Sequence, residues 1–150
     1  MLSFKKLRNQ GFTIVELLIV IVVIGILATL VITTYNGVQS KARDTKRKTD
    51  INALQGQVEA YNTNAGFYPT LADMNDSAWR STNMKGLDPS ALNDPQNPNP
   101  TSTLCATTTA HCYVYAVTPS GCDNSTTDCT SYTLSASLED GTTYSKTGSD

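Results

Sequence analysis

The side chains able to do chemistry are few in this 150-residue chain, and they sit far apart. One carboxylate, Glu16, stands inside an apolar run. Inserting a charged group at the centre of a membrane span costs on the order of 2.5–3.5 kcal/mol, so such a group is normally paired. No Lys or Arg lies between Leu17 and Ile32 to pair with it. On its own chain Glu16 would at least complement the positive end of a helix, worth about 0.3–1 kcal/mol. Four cysteines, Cys105, Cys112, Cys122 and Cys129, fall in the last third of the chain. Their spacing lacks the CxxC pattern of zinc sites and His111 is the sole histidine, so disulfides are expected and a structural metal is not. Three pairings are open, and the equal gaps within 105/112 and 122/129 favour local pairing. In the segment CDNSTTDC, Asp123, Asn124 and Asp128 offer the hard oxygen atoms that calcium takes, with a solvated loop as the simpler reading. One histidine and acids in turn-like stretches make no catalytic constellation, so no enzyme is expected.

The elements that must carry these groups can be read from hydropathy and charge. From Phe12 to Ile32 the chain runs 21 residues interrupted only by Thr13, Glu16 and Thr29. A helix of that length spans roughly 30 Å, the thickness of a bilayer's hydrocarbon core. Residues 1–50 hold eight basic and three acidic side chains, whereas residues 51–150 hold three and ten, so the overall charge of −2 conceals a basic base and an acidic head. Lys5, Lys6 and Arg8 precede the apolar run without an acid, which by the positive-inside tendency leaves Met1 in the cytoplasm and the chain after Ile32 outside. The cysteines then all lie where disulfides persist. An ordinary secretory signal ends in a small-residue site after its apolar core, but here Ala28 is followed by Thr29 and Leu30, so the span should stay in the mature protein.

No proline occurs between Met1 and Gly66, so the helix is expected to continue past the span to about Thr63, some 75 Å at 1.5 Å per residue. Ile51, Leu54, Val58 and Tyr61 recur on one helical face and need a partner. The basic run KARDTKRK from Lys41 to Lys48 reads as a solvated helix face with an Asp44–Lys48 pair, facing lipid headgroups or acidic neighbours rather than nucleic acid. Asn64, Gly66 and Pro69 mark the turn out of the helix. The proline-rich stretch Asp88 to Pro100 reads as an irregular loop. Alternation around Tyr113, Tyr115 and Val117, and again at Tyr132, Leu134 and Ala136, predicts two strands, with a closing hairpin through Asp140–Gly141. The fold class expected is α+β: a long N-terminal helix packed on a small antiparallel sheet.

Residues 5–28, KKLRNQGFTIVELLIVIVVIGILA, resemble the N-terminal signature of type IV prepilins and type II secretion pseudopilins. NAGFYPT (64–70), LNDP (92–95) and YTLSASLEDG (132–141) are more loosely similar to the major pseudopilin and its relatives. The resemblance implies a leader, 1–11, removed after Gly11 by a membrane aspartic peptidase that also methylates the new N-terminal Phe12. It further implies a transmembrane and filament-core helix over 12–32, an amphipathic extension over 33–64 and an extracytoplasmic head over 65–150. Glu16 matches the family's helix glutamate, and the α-amine freed at Phe12, on a neighbouring subunit or its own, would be the cation it lacks. Gly25 would let neighbouring helices approach closely. The family's major pseudopilins often bind calcium near the loop that LNDP resembles, but Gln96 and Asn97 replace the residues usual after it. Many pilins also carry a proline further along the span that loosens the helix in the fibre; this chain has Thr29, Thr33 and Thr34 and no proline there.

The function expected is that of a structural subunit of a type IV pilus-like filament, a homo-oligomer with helical symmetry. Its other partners would be the prepilin peptidase and methyltransferase, the assembly platform and its ATPase, and the cytoplasmic membrane before assembly. The alternative is a minor pilin or pseudopilin acting in secretion, adhesion or DNA uptake.

Overall fold

The computed structural model describes residues 11–149. Helix α1 runs Ile14–Ala65, ending two residues beyond the expected Thr63. Two short helices follow, α2 (Leu71–Asn75) and α3 (Ser77–Asn83), then a 3₁₀ turn at Pro89–Leu92. Three strands complete the chain: β1 (Val114–Thr118), β2 (Ser131–Ser137) and β3 (Thr143–Ser149). The structure bears out the α+β expectation. It departs from it in α2 and α3, which the sequence reading did not foresee, and in the ordered turn inside the proline-rich stretch. That turn buries Ala91 and Leu92, which is why it is not irregular throughout.

The chain divides into two compact units at Gln39/Ser40, inside α1. In the first, every residue from Gly11 to Val38 is exposed. Thr29 donates its hydroxyl to the Gly25 carbonyl at 2.8 Å, and Thr33 and Thr34 each donate to the Leu30 carbonyl at 3.0 Å. These back-bonds satisfy the hydroxyls within the helix, so threonine in an apolar segment needs no outside partner.

The second unit has the core. Ile51, Leu54 and Val58 on α1 are fully buried, each worth about 1.5–3 kcal/mol relative to exposure. They pack with Tyr68, Met74, Met84, Leu92, Tyr113, Tyr115, Tyr132 and Leu134. The sheet is antiparallel in the order β1-β2-β3, with Tyr115 opposite Leu134 and Leu134 opposite Lys146. Along β2, Tyr132, Leu134 and Ala136 point inward while Thr133 and Ser137 face solvent, the period of two that the sequence shows. The hairpin turn places Gly141 at φ +81°, a conformation glycine adopts without strain, and closes with Leu138 N–H donating to the Thr142 carbonyl at 2.8 Å. Both disulfides are local, Cys105–Cys112 and Cys122–Cys129.

Candidate assembly helix and processing site

Gly11 and Phe12 lie just before α1, both exposed, with Phe12 at 84%. The rest of the expected leader, residues 1–10, lies outside the described residues. At the start of α1, Thr13 and Glu16 lock each other: the Thr13 N–H and hydroxyl donate to Glu16 Oε2 at 2.8 and 2.7 Å, and the Glu16 N–H donates to the Thr13 hydroxyl at 3.2 Å. This is a reciprocal cap over the orphan amides of the first turn. Within one chain, then, Glu16 complements its own helix end, the simpler of the two roles its position allows. The carboxylate still lacks a cation, since among the described residues its partners are all on Thr13.

From Phe12 to Val38, eighteen large apolar side chains are about half to five-sixths exposed, and they cover the helix all round. A methyl group added at Gly25 would meet nothing within 4 Å, so its own chain makes no use of its small size. By length and composition this segment can cross a membrane: its most apolar 18-residue window has mean hydropathy 3.1 and no buried residue. An apolar surface of this extent in water would carry a large hydrophobic penalty, so it must be covered by lipid or by another apolar surface.

A family model describing the prokaryotic N-terminal methylation motif matches residues 6–32. The chain is 41% identical over 63 residues to the type II secretion system core protein G of Dickeya chrysanthemi, covering 42% of this chain and 41% of that one. It is 42% identical over 67 residues to the type II secretion system core protein G of Vibrio cholerae, covering 44% and 46%. To the type IV major pilin protein PilA of Myxococcus xanthus it is 33% identical over 66 residues, covering 44% and 30%. In its N-terminal part this chain is similar to type II secretion core protein G and to a type IV major pilin. The matches span less than half the length of these relatives, and none of the three names is an enzyme's. No solved structure matches the chain.

The basic run from Lys41 to Lys48 departs from the solvated face expected of it. Arg47 is 2% exposed, and its five N–H groups all find acceptors. Nε and Nη2 donate to Asp94 at 2.7 and 3.2 Å, Nη2 also to Gln96 Oε1 at 2.6 Å, and Nη1 to Asp44 at 2.9 Å and Glu139 at 2.7 Å. Asp44 therefore pairs with Arg47, not Lys48, whose ammonium lies over the Tyr144 ring at 5.8 Å. Arg43 adds a two-point contact to Glu139 at 2.9 and 3.0 Å. These two guanidinium groups hold the Glu139 carboxyl down to about 2. One turn further on, buried Asp50 accepts from Tyr113 at 2.9 Å and from Lys46, while burial itself pushes its pKa up.

Of the side chains considered for calcium, Asp123 and Asn124 are engaged otherwise. Asp123 Oδ1 accepts from the amides of Ser125, Thr126 and Thr127, which lower its pKa. The Asn124 side chain joins the Tyr68 carbonyl to the Cys129 amide at 2.8 Å each. Asp94, within LNDP, is taken by Arg47. Among the described residues no three His, Cys, Asp or Glu side chains are grouped so as to hold a metal ion.

Proposed function

We propose that this chain is a structural subunit of an extracytoplasmic helical filament. The cytoplasmic leader is removed after Gly11, Phe12 becomes a methylated N terminus, and the apolar part of α1 leaves the membrane to stack with copies of itself. The observation that carries this reading is the apolar surface from Phe12 to Val38, wholly without cover in its own chain. Lipid covers it before assembly, and sister helices afterwards. Glu16 then meets the α-amine of a neighbouring Phe12 inside the bundle, where a paired charge replaces one that desolvation would otherwise penalise. Gly25 gives a neighbouring helix room to approach.

A pseudopilin working in type II secretion is supported about equally, because two of the three relatives described are core protein G of that system. The prepilin peptidase, the assembly platform and its ATPase are the partners either role requires.

Mass spectrometry of fibres sheared from the surface of cells making this protein tests the reading. The expected result is an abundant subunit beginning at methylated Phe12. A soluble monomer retaining Met1 overturns it.

A further inference from the structure

The cavity beside α3 combines a buried cation with an open approach. It has a volume of about 490 Å³ and is lined by Arg80, Lys85, Ser81 and Ser102 over an apolar floor that includes Met84 and Leu87. Arg80 is 7% exposed. Among the described residues its side chain makes one hydrogen bond, to the Met74 carbonyl oxygen, and no carboxylate lies within 4.0 Å of it.

The acids nearest in sequence are turned to other uses. Asp76 caps α3 by accepting from the Ala78 and Trp79 amides at 2.8 and 3.2 Å, and Asp88 accepts from the Ser90 amide at 2.9 Å. A guanidinium removed from water without a counter-charge is costly, in contrast to Arg47, whose acids surround it. The cavity's second cation, Lys85, is exposed at the rim and likewise has no acid partner among the described residues. Ser102 accepts from the Asn93 amide at 3.3 Å, which leaves its own proton available. Two positive charges, hydroxyl donors and no carboxylate in the lining make a receptor for an oxyanion.

We infer that this cavity binds a small oxyanion, with Arg80 as its anchor and Lys85 at its mouth. The volume lies within the range of small-molecule pockets, and Leu87 gives the lining a partly exposed apolar side, Met84 being almost wholly buried. The ligand class is a small carboxylate or phosphate; galacturonate, a carboxylate carried on a sugar ring, and inorganic phosphate, which has none, are its two probes.

The test is calorimetric titration of the full chain in detergent micelles with galacturonate, inorganic phosphate and, as a neutral control, galactose. Saturable binding of galacturonate or phosphate but not galactose is expected. Tighter binding of galacturonate assigns the site to a carboxylate, and tighter or equal binding of phosphate assigns it to phosphate. Removing one charge–charge contact typically weakens binding about fivefold to tenfold, the loss expected for Lys85→Gln, an exposed position that leaves the fold alone. Arg80→Gln, checked for folding by circular dichroism, should abolish binding. No saturable heat from either anion up to roughly 10 mM, ten times the Kd of a millimolar contact, or unchanged affinity in Lys85→Gln, overturns the assignment.

Discussion

Arg47 Nε meets Asp94 Oδ2 at 2.7 Å, with the two side chains only 3% and 4% exposed. A buried ion pair is worth little against well-packed apolar groups, yet breaking it by removing one partner costs about 3–5 kcal/mol, because the other charge stays buried. Arg47→Ala is therefore expected to destabilise by that amount in urea melts of the detergent-solubilised chain. The double replacement Arg47→Met with Asp94→Leu should recover much of the loss. If Arg47→Ala leaves the midpoint unmoved, the guanidinium is not holding the loop.

Glu139 sets an acid limit on stability. Its pKa is depressed from 4.5 to about 2, so its contribution is complete above the unfolded value and is lost as pH falls through the window between them. Asp50 works in the opposite sense: burial raises its pKa, and protonation relieves that penalty as the solution is acidified. Melting temperatures followed from pH 6 downward should fall within the Glu139 window. Glu139→Gln should lower stability near neutrality and flatten that fall, and an unaltered pH profile would count against the assignment.

Gly148 on β3 lies tightly against Glu59 of α1, Tyr68 and Tyr132. A Cβ there would contact the Tyr132 ring and come within 2.7 Å of Glu59 Oε1 and 2.8 Å of the Tyr68 hydroxyl. Overpacking of this kind costs about 1–3 kcal/mol, so Gly148→Ala should lower the melting temperature, whereas Gly56→Ala, in open space, should not. Equal stability of the two variants would contradict the packing described.

Thr13 and Glu16 separate capping from assembly. Thr13→Ala removes the reciprocal cap at a cost of about 1 kcal/mol but keeps the carboxylate. Glu16→Ala removes both. If Glu16 serves assembly, fibre yield collapses in Glu16→Ala and survives in Thr13→Ala, with insertion and cleavage intact in each. Similar yields from the two variants would leave Glu16 with the cap alone.

Excess calcium should leave the melting temperature of the chain where a chelator leaves it, because the Asp123 carboxylate is spent on three amides and Asp94 on Arg47. An upward shift would mean that one of these sets gives way to the ion.

Much of this architecture is written in local pattern. The long helix follows from the absence of proline, the core face from the spacing of Ile51, Leu54 and Val58, and the strands from alternation at Tyr132, Leu134 and Ala136. Even α2 had a local signal that went unread: Thr70 and Asp73 form a reciprocal cap, Thr70 N–H donating to Asp73 at 3.0 Å and Asp73 N–H to Thr70 at 3.1 Å. Burial of Arg47 had none. Lys46 and Lys48 beside it are charged and exposed, and apart from Asp44 its acids arrive from 47 and 92 residues away, so only tertiary contact distinguishes it from those lysines. Arg80 was illegible for the same reason: what marks it is a missing counter-charge in space, which a string of residue types does not encode.

The cysteine pairing carries a last implication. All four thiols of the chain are consumed in two short internal loops, leaving none to bridge one copy to the next. Copies of this chain held together through their apolar helices would owe nothing to disulfides, and a reductant would act on the fold of each copy rather than on the contacts between them.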